Sequence, residues 1–334
     1  MSKVWEPNKW YSLLRPYVDW CTRTSFSKLE VKGKENIPSD SIVILGPNHC
    51  NTLMDALLVL QSDKRRAAFG ARADIFKNKT AASILRFLRI LPVFRKRDGL
   101  AAVAQNQLIF EEMIDCMDHD VPMCIFSEGT HRAKHSLLPV KKGIFRIAKL
   151  ALDEIEGKKT YVVPVGLDYE DFFHYMKRAK VTFGEPIEVH SEDDLGELTN
   201  VLHDKLSKLI TFFPDDENYD RNWAEYEAKH RPRFHWWKLP AAVLLLPVFL
   251  IAGIISCPIW ITAEILGSRM EDKAWLNTVR LCCKLVGVPV LTILALVLGI
   301  IFLPWYLIIL LIVAVWYSQP VFYYIFNFYS DLLK

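Results

Sequence analysis

The sequence predicts an α/β domain with a mixed, mostly parallel sheet flanked by helices, followed by a C-terminal transmembrane helical region. Two observations predict this architecture. Short runs rich in Val and Ile alternate with longer helix-like runs from about residue 29 to residue 215, which is the strand and helix pattern of an α/β fold. Two stretches without a charged residue then follow, at residues 239–263 and 285–317, and each is long enough to cross a bilayer.

The elements of the α/β domain are predicted from local patterns. Apolar runs bounded by turn-forming residues predict strands at residues 41–45, 67–70, 122–126, 161–166 and 180–183. Helices are predicted at residues 54–61, 83–89, 100–116, 143–154 and 193–213. Within residues 1–28, a stripe containing Trp10, Leu13, Tyr17 and Trp20 predicts an amphipathic helix. This helix either lies in a membrane interface or packs on the α/β domain.

The chain is predicted to leave the α/β domain through a polar segment. Residues 216–238 form a linker or a last surface helix, and they end in a basic and tryptophan-rich membrane boundary. In the helical region of residues 239–330, Pro247 and Pro258 either kink the first apolar run or break it into a re-entrant hairpin. As one helix the second run would be about 50 Å long, so we expect two segments that meet near residues 299–304. Two to four membrane spans fit this pattern.

Composition excludes several classes of function. The formal net charge of +3 is too small to imply nucleic-acid binding. The seven cysteines contain no Cys-x-x-Cys pair, so neither a zinc site nor a redox motif of that type is expected. We interpret them as reduced thiols. The N-terminus lacks an apolar core of the length that a signal peptide requires.

His49 and Asp55 lie where a predicted strand passes into a predicted helix. Catalytic groups and ligands favour this edge of the sheet in α/β folds. A histidine can take a proton from a hydroxyl near neutral pH, and an aspartate can hold its imidazole in the required tautomer. Within one regular helix the two residues would point about 240° apart. A His49–Asp55 pair therefore requires His49 to lie before the helix and Asp55 to lie in its first turns.

Three further segments complete an ordered set with residues 48–55. They are residues 91–97 (Leu-Pro-Val-Phe-Arg-Lys-Arg), 126–132 (Phe-Ser-Glu-Gly-Thr-His-Arg) and 162–166 (Val-Val-Pro-Val-Gly). This order resembles the four motifs of the glycerolipid O-acyltransferase family, whose members include glycerol-3-phosphate and 1-acylglycerol-3-phosphate acyltransferases. The resemblance covers roughly residues 42–186.

The match has departures from the family's pattern. Five residues separate His49 from Asp55, whereas four are usual in the family. In the third motif Ser127 replaces a proline, His131 replaces an arginine, and Arg132 follows one place later. The motif's phosphate-binding arginine is therefore displaced or missing.

The resemblance implies a membrane-bound enzyme whose catalytic domain faces the cytosol. It would move a fatty acyl group from acyl-CoA or acyl carrier protein to a hydroxyl of glycerol 3-phosphate or lysophosphatidate. His49 would be the general base and Asp55 would orient it. The residues expected to bind substrate are Arg95, Arg97, Glu128, Gly129, Thr130 and Arg132. Besides the acyl donor, the expected partners are membrane lipids and the phosphorylated acceptor, and no metal or other cofactor is expected.

Two other classes of function stay open at this point. A metal-dependent lipid hydrolase would use His49, Asp55, His131 and His135, because the two later histidines are four residues apart. The positive charge around them disfavours a cation site, and chelation would separate a hydrolase from an acyltransferase. An inactive lipid-binding module is the third possibility, although it would usually have lost the histidine or the aspartate.

Overall fold

The computed structural model describes residues 3–63, 65–93, 106–230, 235–236 and 238–333. Within these residues one sheet contains eight strands in the order β1-β7-β6-β2-β5-β3-β4, and β8 pairs with β6. The strands are β1 (Lys28–Lys32), β2 (Ile42–Pro47), β3 (Ala68–Arg72), β4 (Ile90–Val93), β5 (Met123–Ile125), β6 (Thr160–Tyr169), β7 (Arg178–Phe183) and β8 (Ile187–Glu188).

The sheet is mixed and mostly parallel, which confirms the predicted fold class. β2 lies at its centre between β5 and β6, and it is parallel to both. β3 is parallel to β4 and β5, while β7 and β8 run antiparallel to β6. Every residue of β2 is buried, as expected for a strand covered on both faces. Because β2, β3, β5 and β6 are parallel, their carboxyl ends meet at one edge of the sheet.

The helices follow the predicted order. They are α1 (Lys9–Arg23), α2 (Leu53–Ser62), α3 (Lys79–Phe87), α4 (Asn106–Asp118), α5 (Gly143–Glu154), α6 (Leu195–Leu209), α7 (Tyr219–His230), α8 (Lys238–Ser268), α9 (Leu276–Phe302) and α10 (Trp305–Leu333). The polar segment after residue 215 thus contains a surface helix, α7. The sequence did not predict β1, β4 and β8, which are short.

The N-terminal helix α1 packs on other parts of the chain with one face and leaves apolar side chains exposed on the other. Arg15 donates to the Leu60 carbonyl at the end of α2 (2.5 Å), and Trp20 contacts Trp316 of α10 with ring centroids 4.7 Å apart. Trp10 nevertheless keeps 59% of its surface exposed. The two interpretations of this helix are therefore compatible, since packing and an interfacial apolar face use different sides of it.

The C-terminal region contains three helices that are long and apolar enough to cross a membrane: α8, α9 and α10. The second apolar run divides between Phe302 and Trp305, as its length predicts. α9 and α10 are antiparallel, and Trp316 donates to Thr292 across their interface (3.1 Å). The C-terminal half of α8 is antiparallel to α9, because Glu264 pairs with Arg280 (2.9 Å) and Ile259 packs on Gly287. This half of α8 therefore runs parallel to α10.

The N-terminal half of α8 runs in the opposite direction. Tyr323 of α10 donates to Glu264 (2.9 Å), while Tyr329, further along α10, donates to the Ala242 carbonyl (2.6 Å). If α8 were straight, Ala242 would lie about 33 Å from Glu264, in the direction away from Tyr329. One tyrosine side chain cannot cover that distance, so α8 turns back on itself.

The turn in α8 lies between Phe249, which stacks on Phe322 of α10, and Ile259, which packs on α9. Pro258 lies in this stretch and removes one backbone N–H from the helix. Side chains satisfy two carbonyls there, since Ser256 donates to Ala252 (2.6 Å) and Trp260 donates to Gly253 (2.9 Å). Such local partners are what an apolar environment requires of a distorted helix.

Candidate active site

The loop between β2 and α2 brings His49 and Asp55 together. β2 ends at Pro47 and α2 begins at Leu53, so His49 lies in the loop and Asp55 in the first turn of the helix. The Nδ1 atom of His49 lies 2.7 Å from Oδ2 of Asp55. The aspartate is fully buried, whereas the histidine side chain keeps 18% of its surface exposed. With the Nδ1 proton in this bond, Nε2 is the nitrogen that can accept a proton.

The Asp55 carboxylate is held by a set of donors that fixes its orientation. Its Oδ2 atom also accepts the backbone N–H groups of Cys50 (2.8 Å) and Asn51 (2.7 Å). Its Oδ1 atom accepts the hydroxyl of Tyr169 (2.6 Å). Burial and the neighbouring Asp55 charge raise the pKa of the Cys50 thiol well above its usual value, so this cysteine stays protonated and is a poor nucleophile.

Tyr169 is a site residue that the sequence analysis missed. Pro47, the last residue of β2, pairs with Val165 of β6, so β6 continues past the end of β2 and carries Tyr169 to the His49 loop. Asn48 extends the pairing there, because its side chain exchanges hydrogen bonds with the backbone of Leu167 (2.7 and 3.0 Å). The available signal was a tyrosine three residues beyond the predicted end of a strand, at the edge of the sheet that carries His49.

Glu128 supports the same loop from the end of β5. Its Oε1 atom accepts the backbone N–H of His49 (3.0 Å), and its Oε2 atom accepts the N–H of Leu138 (3.2 Å). Burial raises the pKa of Glu128 to about 7, although these two hydrogen bonds act against the rise. The backbone N–H of Arg132 donates to the His49 carbonyl (3.1 Å). The segment around Glu128 therefore holds His49 by its backbone on both sides.

Two rings enclose the His49 imidazole. Phe126 stacks on it with ring centroids 4.2 Å apart, and His131 meets it edge to face at 5.5 Å. The Nε2 atom of His131 in turn lies 2.7 Å from Oδ2 of Asp272, in the connection between α8 and α9. The orientation of His49 is thus set by Asp55 at Nδ1 and by aromatic contacts around its ring.

Of the other predicted site residues, Gly129 and Thr130 are exposed, whereas Arg132 is paired with another side chain. Gly129 has a left-handed backbone (φ +74°), which suits a glycine, and both Gly129 and Thr130 are exposed at this edge of the sheet. Arg132 forms an ion pair with Asp215 and donates to Ser136 (2.8 Å). Arg95 and Arg97 lie outside the described residues.

The four residues of the hydrolase alternative do not assemble into a metal site. His135 is buried and stacks on Trp223, with centroids 4.3 Å apart. Burial lowers its pKa, so it is neutral at physiological pH. Across the described ranges, no group of three or more His, Cys, Asp and Glu side chains is arranged to hold a metal ion. The structure therefore offers no coordination geometry in support of that alternative.

Comparison with known proteins bears on the same segment. A model of the acyltransferase family matches residues 28–168, which run from the start of β1 almost to the end of β6. This segment is therefore similar in sequence to the acyltransferase family. The matched segment contains His49, Asp55, Glu128 and His131, whereas Tyr169 and the helices α8–α10 lie beyond its end.

Individual relatives of the acyltransferase domain are distant. Glycerol-3-phosphate O-acyltransferase 1 of Saccharomyces cerevisiae is 29% identical over 92 residues, which are 28% of this chain and only 12% of the yeast protein. Human 1-acyl-sn-glycerol-3-phosphate acyltransferase alpha is 23% identical over 212 residues, covering 60% of this chain and 69% of the human one. The crystal structure of the acyltransferase PlsC from Thermotoga maritima is 20% identical, with a TM-score of 0.45 over 67% of this chain and 83% of that chain.

Proposed function

We propose that the protein is a membrane-bound glycerolipid acyltransferase. It would transfer a fatty acyl group from acyl-CoA or acyl carrier protein to a hydroxyl of glycerol 3-phosphate or lysophosphatidate. The observation that carries this proposal is the contact of 2.7 Å between His49 and a fully buried Asp55 within an acyltransferase-family domain. The yeast and human relatives, a glycerol-3-phosphate and a 1-acyl-sn-glycerol-3-phosphate acyltransferase, support a phosphorylated glycerol acceptor.

The chemistry follows from the proposed roles. The free Nε2 atom of His49 takes the proton of the acceptor hydroxyl while its oxygen attacks the thioester carbonyl, forming the new C–O bond. The tetrahedral intermediate then expels the thiolate as the C–S bond breaks, and the imidazolium returns its proton to the sulfur. Asp55 stabilises the imidazolium between these two steps. A positioned base of this kind contributes about 10²- to 10⁴-fold to the rate.

We assign substrate binding to the residues that the sequence analysis named. Arg95 and Arg97 are our candidates for the acceptor phosphate, since a guanidinium fork matches phosphate oxygens. Exposed Gly129 and Thr130 are candidates for contacts with the phosphate or with the developing oxyanion. Arg132 would have to exchange its pairing with Asp215 for a substrate contact. Glu128 acts in this proposal through the His49 backbone, which it already binds.

A membrane location is supported by the three apolar helices that follow the catalytic domain. Their large hydrophobic side chains are extensively exposed, for example Val243, Ile293 and Ile300, and such a surface is stable in lipid. Lysines and arginines precede α8, followed by a pair of tryptophans. Because basic residues are enriched on the cytosolic side of membrane helices, we place the catalytic domain in the cytosol.

The test is acyl transfer by purified protein in detergent, with radiolabelled acyl-CoA and a panel of acceptors that includes glycerol 3-phosphate and lysophosphatidate. We expect a labelled product with one of these acceptors, and a loss of at least about 100-fold in His49→Ala. His190→Ala is the matched control, because His190 is exposed in the turn after β8. No transfer to any acceptor, or a His49→Ala variant with more than about a tenth of wild-type turnover, would overturn the proposal.

A further inference from the structure

The connection between α8 and α9 reaches the edge of the sheet that carries His49. Asp272, in this connection, pairs with His131 (2.7 Å), and Trp275 meets the His131 ring at 6.0 Å. In the first turn of α9, the hydroxyl of Thr278 hydrogen-bonds the hydroxyl of Thr52 (2.7 Å). The apolar helices thus contribute side chains directly to the surroundings of the His49–Asp55 pair.

Thr52, which hydrogen-bonds Thr278, has an unusual backbone conformation. It lies between His49 and Asp55, at the start of α2, and its backbone is at φ 47° and ψ −121°. A residue with a branched Cβ rarely adopts a positive φ, and such a conformation persists only where its surroundings hold it. Both Thr52 and Thr278 are buried. The hydroxyl pair between them therefore holds the backbone that separates the histidine from the aspartate.

His131 links Asp272 of the α8–α9 connection to the ring of His49. Its ring packs edge to face on His49, and Asp272 fixes it through Nε2. Asp272 is itself held in place, because its Oδ1 atom accepts the backbone N–H of Ala274 (2.9 Å). A chain of contacts thus runs from the α8–α9 connection through Asp272 and His131 to the His49 ring.

The first turns of α9 are also fixed to the acyltransferase domain by contacts away from the His49 loop. Asn277 donates to the carbonyl of Phe172 (2.9 Å), and Arg280 donates to that of Phe173 (2.5 Å). About one turn beyond Arg280, the buried Lys284 donates to Thr24 at the end of α1 (2.6 Å). The first turns of α9 are therefore docked through several polar contacts, as a positioning element requires.

We propose that the α8–α9 connection and the first turn of α9 are a working part of the active site, in which Asp272 and Thr278 are positioning residues. Thr278 holds the strained Thr52 and thereby the spacing of His49 and Asp55. Asp272 holds His131 and thereby the orientation of the His49 ring. The inference rests on the proposed acyltransferase function, and it assigns the apolar helices a role in catalysis in addition to attachment.

The first experiment removes the hydroxyl of Thr278. Thr278→Val has nearly the same shape but cannot hydrogen-bond Thr52, whereas Thr278→Ser keeps the hydroxyl. We expect kcat to fall by about tenfold or more in the valine variant, since a displacement of about 1 Å can reduce a rate about 100-fold, with little change in either KM. Thr278→Ser should restore most of the rate. Thr262→Val is the control, because Thr262 is exposed on α8 and bonds only within its own helix.

The second experiment neutralises Asp272. Asp272→Asn keeps an oxygen for the Ala274 N–H but removes the charge beside His131. We expect kcat to fall about tenfold, again with KM values close to those of the wild type, and Glu271→Gln to have no effect. If Asp272 acts through His131, the double variant with His131→Gln should be no slower than His131→Gln alone. Additive losses in that cycle would contradict the chain of contacts.

The two proposals fail in different ways. Absence of acyl transfer by the wild-type protein would overturn the proposed function itself. Normal wild-type transfer together with wild-type kcat in Thr278→Val and Asp272→Asn would overturn only the inference. Thermal unfolding in detergent is measured for each variant, and a variant whose kcat falls only in proportion to its loss of folded protein would also count against a positioning role.

Discussion

Asp55→Asn is the sharpest test of the His49–Asp55 pair, because the geometry around Asp55 predicts that the substitution removes charge but few contacts. All three partners of Oδ2 are N–H groups, so the amide oxygen must take that position. The amide nitrogen then faces the Tyr169 hydroxyl, which can accept a hydrogen bond. By contrast, Asp55→Ala would leave several buried donors without partners, each of which lowers the free energy of unfolding by about 1–3 kcal/mol. A loss of activity in that variant could then result from unfolding instead of from a slower chemical step.

The magnitude follows from what the charge does. Replacing charge-assisted hydrogen bonds by neutral ones should lower the free energy of unfolding by about 1–3 kcal/mol, so the Asp55→Asn variant should fold. The imidazolium that forms on His49 would then lie 2.7 Å from a neutral amide. In serine proteases the equivalent change lowers kcat by about 10⁴-fold. We therefore expect kcat to fall by about 10³- to 10⁴-fold, or about 4–5.5 kcal/mol in activation free energy.

The assay is steady-state acyl transfer by Asp55→Asn and wild-type protein, purified in parallel, with thermal unfolding measured on the same samples. KM for both substrates should change little, because Asp55 is buried and is not expected to contact either substrate. A folded Asp55→Asn protein whose kcat stays within about tenfold of the wild type would refute the reasoning. Asp55 would then have a structural role and His49 would not depend on it.

Three further predictions use the same assays. Tyr169→Phe removes the 2.6 Å hydrogen bond to Asp55 and should lower the free energy of unfolding by about 1–2 kcal/mol and kcat by less than tenfold; an unchanged unfolding midpoint would contradict it. The folded-state pKa of Glu128, about 7, lies above its ordinary 4.5, so protonated Glu128 stabilises the fold below about pH 4.5 and this contribution is lost as the pH rises towards 7. The stability of wild-type protein relative to Glu128→Gln should therefore fall across that pH window, and a constant difference would exclude the raised pKa. Arg97→Ala should raise the acceptor KM more than it lowers kcat, and equal KM values would remove Arg97 from phosphate binding.

The elements that sequence predicted well are those whose local pattern agrees with their burial. The central strand β2 is a continuous apolar run because it is covered on both faces, and α5 was predicted with its observed bounds, Gly143–Glu154. β1 was missed because Lys28–Lys32 has a lysine at each end and a glutamate in the middle, which is typical of an edge strand. Its strand conformation depends on pairing with β7, which is distant in the sequence.

The residues of the candidate site also differ in how far they could be predicted from local sequence. His49 and Asp55 were identified because both lie in one short segment, where a strand-to-helix turn limits how they can meet. Asp272 and Thr278 lie 141 and 226 residues from the side chains that they contact. No local periodicity carries information about such a pairing, since it depends on how α9 docks against the sheet. Tyr169 could be predicted only in part, because the strand was predicted but the register between β2 and β6 decides where the tyrosine hydroxyl lies.

The turn in α8 bears on which compartment each end of the chain occupies. A helix that enters an apolar layer and returns to the same face adds no net crossing, so in a bilayer α8 would not change the side on which the chain lies. α9 and α10 would then cross the bilayer in opposite directions, since they are joined between Phe302 and Trp305. With an even number of crossings, the acyltransferase domain, the α8–α9 connection and Leu333 would share one compartment. A reporter fused after α10 would therefore lie in the same compartment as His49.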